Sequence, residues 1–198
     1  MLAAAGIPVV EGGNLTRAPI DMVVGFSNRA AACAVTRHLA GRCVGPIGFV
    51  GAQVRDNDRA RDRLSGFRAT LSALGRPVDP DLVVQTDLEM GAGARAAGAL
   101  LDRRPDIGGL LCSADALAAG AVFACQARGI AIPGRLAIAS FDDIEIAGLI
   151  RPALTTLRVP RRLIGERAGE MILTRLAGAA PSQGTLDVGY ELILRESA

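Results

Sequence analysis

Short, unbroken apolar runs recur along this chain and restrict its fold more than any other feature. They are IPVV (7–10), DMVVGF (21–26), PIGFVG (46–51), LVVQ (82–85), IGGLLC (107–112) and LAIASF (136–141). None alternates apolar with polar residues, so each suits a parallel strand covered on both faces rather than a strand with one wet side. Helical patterns lie between them. After PIGFVG, the residues Asp56, Asn57 and Asp58 can cap a helix start. Leu64, Phe67, Leu71 and Leu74 then follow at 3–4 spacing, and Gly75 is placed to end that helix. Residues 28–40, 91–103, 115–128 and 161–177 read as further helices, the last two stopping near Gly129 and Gly178. Strands alternating with helices specify βαβ units, a parallel sheet and an α/β fold class.

The composition removes several function classes. Half of the 198 residues are hydrophobic, enough for one large domain or two small ones with a real core. The net charge of +2 gives no strong attraction to nucleic acid or to a membrane surface, and all 22 basic residues are Arg. No apolar run reaches the roughly 18 residues of a membrane span, and the start MLAAAGIPVVE lacks the basic opening of a signal peptide. A cytoplasmic location follows as the expectation. Cys33, Cys43, Cys112 and Cys125 show no C-x-x-C spacing and read as free thiols. His38 is the only histidine and falls within a helical pattern, which disfavours a zinc site or a Ser-His-Asp triad. No metal, cofactor or catalytic residue is expected.

In open parallel sheets the ligand crevice lies beyond the carboxyl ends of the strands. Several runs here end in polar groups on that edge. DMVVGF leads into Ser27 and Asn28, IGGLLC into Ser113, Ala114 and Asp115, and LAIASF into Asp142 and Asp143. PIGFVG leads through Gln53 and Arg55 to Arg59 and Arg63. Carboxylates that accept hydroxyl hydrogens and guanidinium forks that donate to oxygen suit a small polyhydroxylated or anionic ligand. Asp143 is expected to cap the following helix. Asp142 stands between that role and a ligand contact, while Arg63 and Asp115 are expected to face the ligand. An enzyme reading fares worse. Gly91 to Ala96 fits the G-x-G-x-x-A dinucleotide pattern, but the preceding strand ends several residues too early for the tight turn. Adjacent Asp142 and Asp143 on one strand would point to opposite faces, a poor acid–base pair.

The residues DNDRARDRLSGFRATLSALG resemble the R-x-x-G-F helix of the lactose-repressor (LacI/GalR) family of transcription regulators. The long stretch CSADALAAGAVFACQARGIAIPGRLAIASFDDIEIAGLIRPALTTLRVP is similar to that family's ordered signature: an Asp-led helix, G-x-x-I-P, a strand ending F-D-D, and P-x-L-T-T. The likeness extends along essentially the whole chain. It implies an effector-binding domain of periplasmic-binding-protein fold, with parallel-sheet subdomains, crossing strands and a sugar or sugar acid as effector. The arginine before L-x-G-F corresponds to Arg63, an effector contact in the family. The family's Asn-Asp pair corresponds to Ala114-Asp115, and its F-S-x-E turn to Phe26-Ser27-Asn28-Arg29. The position at which the family often places a stacking aromatic corresponds to Leu88, so ring stacking would fall to Phe26 or Phe141. Asn28 and Asp142 complete the expected contact set, and the added Arg29 favours a sugar acid.

The same resemblance implies subdomain limits. Residues 1–46 and 154–178 would form part of a first subdomain, and 47–150 with 181–198 a second. The crossing segments would be GRCVGPIGFVG, IRPALTT and AAPSQGTLD (179–187). No helix-turn-helix is read in the chain, so no direct DNA contact by these residues is expected, and dimerisation would be a property of full-length members. The first subdomain, short of strands, is expected to be the less stable and to weaken effector binding. A stand-alone sugar-binding protein of the same fold is the alternative.

Overall fold

A computed structural model describes residues 6–76, 78–179 and 183–198. By internal contacts the chain forms two compact units, Met1–Asn28 with Val159–Tyr190, and Arg29–Arg158 with Glu191–Ala198.

The larger, second unit holds a parallel sheet of four strands, β3 (Ile47–Gly51), β4 (Val83–Gln85), β5 (Gly109–Cys112) and β6 (Ala137–Ala139), in the order β4-β3-β5-β6. Every residue of β3, β5 and β6 is buried, as their unbroken apolar sequences require. Beside β6 the chain continues through a parallel bridge from Ala139 to Thr155 into β7 (Thr156–Arg158). β9 (Glu191–Ile193) pairs antiparallel with β7, so Glu191, Leu192 and Ile193 lie against this added strand. The helices are α1 (Asn28–Ala40), α2 (Asp58–Ala73), α3 (Met90–Arg103), α4 (Asp115–Ala127) and the short α5 (Glu145–Leu149).

Local chemistry explains these limits. The Asn57 side chain accepts the Ala60 N–H at 3.0 Å and starts α2, while Gly75 leaves the helix at φ 68. Leu64, Phe67 and Leu71 point inward, and Phe67 meets Phe49 of β3 at 5.2 Å between ring centres. Burying each such ring contributes about 1.5–3 kcal/mol. Leu74, expected on the same inward row, is exposed because the helix ends there. Helices α3 and α4 approach backbone to backbone. A Cβ at Gly93 would collide with the Leu117 backbone, and one at Gly120 with the Met90 carbonyl. Gly93, in the sequence that mimics a nucleotide loop, is therefore a packing residue.

The smaller unit is a three-stranded parallel sheet, β1 (Val10–Gly12), β2 (Met22–Gly25) and β8 (Thr185–Asp187), with β2 central, and one helix, α6 (Arg161–Leu176). Met22, Val24 and Met171 form its buried cluster, with Val10, Ile164, Ala168, Leu186 and Val188 packed against it. Ile164, Ala168 and Met171 lie at i, i+4 and i+7 on one stripe of α6. β1 starts at the last residue of the expected strand, because its pairing begins with Val10 opposite Met22; Ile7 is exposed. Of the expected crossing segment 179–187, residues 180–182 lie outside the described residues, and its end is strand β8.

The divisions at 28/29, 158/159 and 190/191 differ from those expected near 46, 153 and 180. Almost all of α1 groups with the second unit. Gly66 of α2 lies so near Arg29 and Ala32 that a Cβ there would strike both, and the Cys33 thiol donates to the Gly66 carbonyl at 3.5 Å.

Candidate functional site

The carboxyl ends of β5 and β6 open onto α2, and one side chain of α2 reaches across both. Nη1 of Arg63 donates to the Ser113 carbonyl, which follows β5, at 2.6 Å. Its Cζ sits 4.4 Å above the Phe141 ring, which follows β6. Nη2 stands 3.7 Å from Asp142 Oδ1, an ion pair too long to be a good hydrogen bond. Three contacts of different kinds thus fix one planar cation at the sheet edge, with only 13% of its side chain and 24% of that of Asp142 exposed.

Asp142 and Asp143 separate because both take left-handed backbone conformations, at φ 108 and φ 51. Such values are uncommon outside glycine and hold only where the surroundings enforce them. Here the Asp142 N–H donates to Leu157 O at 2.8 Å. The turn sends Asp142 toward Arg63 and Asp143 the other way, where its Oδ2 accepts from Arg158 at 2.7 Å and its Oδ1 from Arg195 at 2.6 Å. Arg158 also reaches Glu191 at 3.0 Å. Burial pushes the Asp143 carboxyl up, but the two guanidiniums outweigh it and hold it below the ordinary carboxylate value.

Asp143 therefore does not cap the next helix as expected. The N-cap of α5 is Ile144, which makes no side-chain cap bond, and its own N–H goes to Asp115 Oδ2 at 2.8 Å. Asp115 is fully buried, and its Oδ1 accepts from Ser140 Oγ at 2.5 Å and Thr156 Oγ1 at 2.6 Å. Burial raises its pKa, against the lowering effect of those three hydrogen bonds. The Asp115 carboxylate, expected to face a ligand, here ties the start of α4 to the end of β6, to β7 and to the residue before α5. Ser140 and Thr156, its donors, were not singled out in the sequence; a hydroxyl at a strand end was the available signal.

The other expected contacts divide between the units. Of the arginines following β3, only Arg63 turns inward. Arg59 is exposed, and Arg55 and Asp56 each keep 93% of their side chains exposed, so both guanidiniums are solvated. Leu88 lies 52% exposed on the loop before α3. Phe141 is fully buried beneath Arg63, so its covered face is closed to ring stacking. In the smaller unit, Phe26 is buried after β2, with its centroid 6.2 Å from that of Tyr190. Asn28 is buried too, its Nδ2 donating to Gly13 O at 2.9 Å and to Asn14 Oδ1 at 3.0 Å. Tyr190, at 37% exposure, is the ring there that solvent reaches. Among the described residues no group of His, Cys, Asp and Glu is arranged to hold a metal ion, and no helix is long and apolar enough to cross a membrane.

Residues 36–198 match the family described as periplasmic binding protein-like domain. The HTH-type transcriptional regulator GntR of Pseudomonas aeruginosa is 34% identical over 199 residues, covering 100% of this chain and 57% of its own length. Among solved structures, the transcription regulator GntR from Chromobacterium violaceum superposes with a TM-score of 0.92 at 40% identity, covering 99% of this chain and 72% of that one. A LacI family transcriptional regulator from Silicibacter pomeroyi gives 0.87 at 30% identity, over 99% and 71%. A complex of the transcriptional regulator CelR with cellobiose gives 0.89 at 27% identity, over 98% and 60%. The chain thus spans little more than half the length of the curated relative quoted.

Proposed function

The chain belongs to the LacI/GalR family of transcription regulators and carries its periplasmic-binding-protein-like effector domain, and from that premise we propose that it senses a sugar or sugar acid at the Arg63 edge of its larger unit. The observation that carries this reading is the Arg63 guanidinium, fixed by Ser113 and Phe141 and faced by the Asp142 carboxylate. A guanidinium donates to hydroxyl or carboxylate oxygens, and a carboxylate beside it accepts hydroxyl hydrogens, so the pair reads a polyol with direction. The cellobiose bound by the CelR relative is of this chemical class. A sugar acid adds a charge that Arg63 complements. On this reading the site binds and performs no chemistry, and Asp115 holds the edge in shape. The working protein is cytoplasmic and pairs as a homodimer, and residues 1–198 make no sequence-specific DNA contact themselves.

Calorimetric titration of the purified chain with a panel of neutral sugars and aldonic acids tests this. Losing one partner of a charged hydrogen bond costs about 1.5–3 kcal/mol, so Arg63→Ala should weaken binding by about tenfold or more. Unchanged affinity in that variant would remove Arg63 from the site.

A further inference from the structure

At the opposite edge of the larger unit's sheet, where β3 and β4 begin, lies a cavity of about 350 Å³. That volume is at the lower end of the roughly 300–1,000 Å³ found for small-molecule sites. Its floor is apolar: Ile47, Leu71 and Leu82 are each at most 3% exposed. Its rim carries Arg76, Asp79 and Arg104. These three charges are not equivalent. Arg104 is consumed by carboxylates, meeting Asp79 at 2.7 Å and Asp106 at 2.9 Å. Asp79 also accepts the Asp81 N–H at 2.9 Å, so its second oxygen is engaged as well. Arg76 is different. Its Nη1 donates to Ala40 O at 2.9 Å and its Nη2 to Gly45 O, both neutral acceptors. Among the described residues no carboxylate stands within ion-pairing distance of it. The Cys43 thiol also meets it; a guanidinium has five N–H donors, so these neutral partners do not exhaust it.

We propose that this cavity is a second ligand site, separate from the Arg63 edge, that takes a small carboxylic acid with an apolar body. The body occupies the Ile47–Leu71–Leu82 floor, where water gains little, and the carboxylate pairs with the one rim cation that lacks an anionic partner. A neutral ligand of the same shape leaves that charge unmatched. A cation meets only carboxylates that Arg104 already holds. Arg76 also joins the end of α1 to the turn before β3 through its two carbonyl bonds, so an acid bound there acts on the connection between those elements.

Calorimetric titration of the purified chain with phenylacetate, and with the isosteric neutral phenylacetamide, tests the proposal. Phenylacetate should bind saturably and the amide at least about tenfold more weakly, the usual loss when a charged hydrogen bond is given up. Val78 lines the same cavity, so Val78→Trp should fill it and abolish saturable binding. Arg76→Gln should reduce phenylacetate affinity to that of the amide. Should that variant fail to fold by circular dichroism, the Val78→Trp and amide arms still decide. Arg63→Ala should leave phenylacetate binding unchanged, which separates this site from the proposed effector edge. Equal binding of acid and amide, binding that survives Val78→Trp, binding lost in Arg63→Ala, or no saturable phenylacetate binding would each overturn the proposal.

Discussion

Strands β2 and β5 are each four residues long, fully buried and paired on both sides with parallel neighbours, yet they sit in unlike surroundings. The neighbours of β5 are themselves buried throughout, and α3 and α4 pack on each other through bare glycine backbone. The neighbours of β2 are half open: β1 and β8 each show exposed residues, and the α6 helix buries only Met171. Around its small apolar cluster the smaller unit adds mainly solvent-facing pairs, such as Arg175–Asp21 at 2.5 Å and Arg162–Glu166 at 2.7 Å. Exposed pairs of this kind contribute about 0–1 kcal/mol, whereas one buried large side chain contributes about 1.5–3 kcal/mol. The difference teaches that equal burial of a strand does not mean equal stability; the layer outside it decides.

The sharpest way to break this comparison is at Asp115. Asp115→Ala orphans two hydroxyls and one backbone N–H inside the larger unit. At about 1–3 kcal/mol for each buried group left unsatisfied, a loss of about 3 kcal/mol or more is expected. Urea unfolding should show it as a lowered midpoint, and a shift below about 0.5 kcal/mol would mean that the larger unit does not depend on its buried carboxylate.

Met171→Ala probes the other side. Removing the one fully inward residue of α6 should cost about 2–3 kcal/mol locally. Hydrogen exchange read by peptide mass should then show residues 22–25 losing protection while 109–112 keep theirs. In the unsubstituted chain the same peptides should already differ, with 22–25 exchanging faster. Equal protection there would end the comparison.

The smallest effect is acid sensitivity. Asp143 has its pKa lowered in the fold, below the ordinary 3.8. Its contribution is thus present above that ordinary value and is lost as pH falls through the lower, folded value. Asp115, with its pKa raised, contributes in the opposite sense, favouring the folded state as it takes up a proton. Asp143→Asn should therefore make the acid limb of urea midpoints taken below about pH 4 shallower, the remaining slope belonging to Asp21, Asp102 and Asp106, whose carboxyls are also held low by arginines. An unaltered limb would assign the acid loss to other carboxylates.

How much of this was legible in the sequence depended on length scale. β3, β5 and β6 were readable because burial on both faces leaves an unbroken apolar run. β7 and β8 were not, since TLR and TLD are three residues each and carry no run at all. The position of Arg63 at the sheet edge was readable because R-L-S-G-F places it on a helix after a strand end. The role of Asp115 was not readable, because its hydroxyl donors come from 25 and 41 residues further along the chain. The divergence of Asp142 from Asp143 rests on two positive φ angles, which no residue type there announces.

The Phe26–Tyr190 contact gives the smaller unit an optical property of its own. The chain has no Trp and a single Tyr, and that Tyr stands beside Phe26. Intrinsic tyrosine emission from this protein therefore originates at one address, while the larger unit, cavity and Arg63 edge included, is dark in that channel. A change in its intensity reports on the surroundings of Tyr190, with no label attached and no residue replaced.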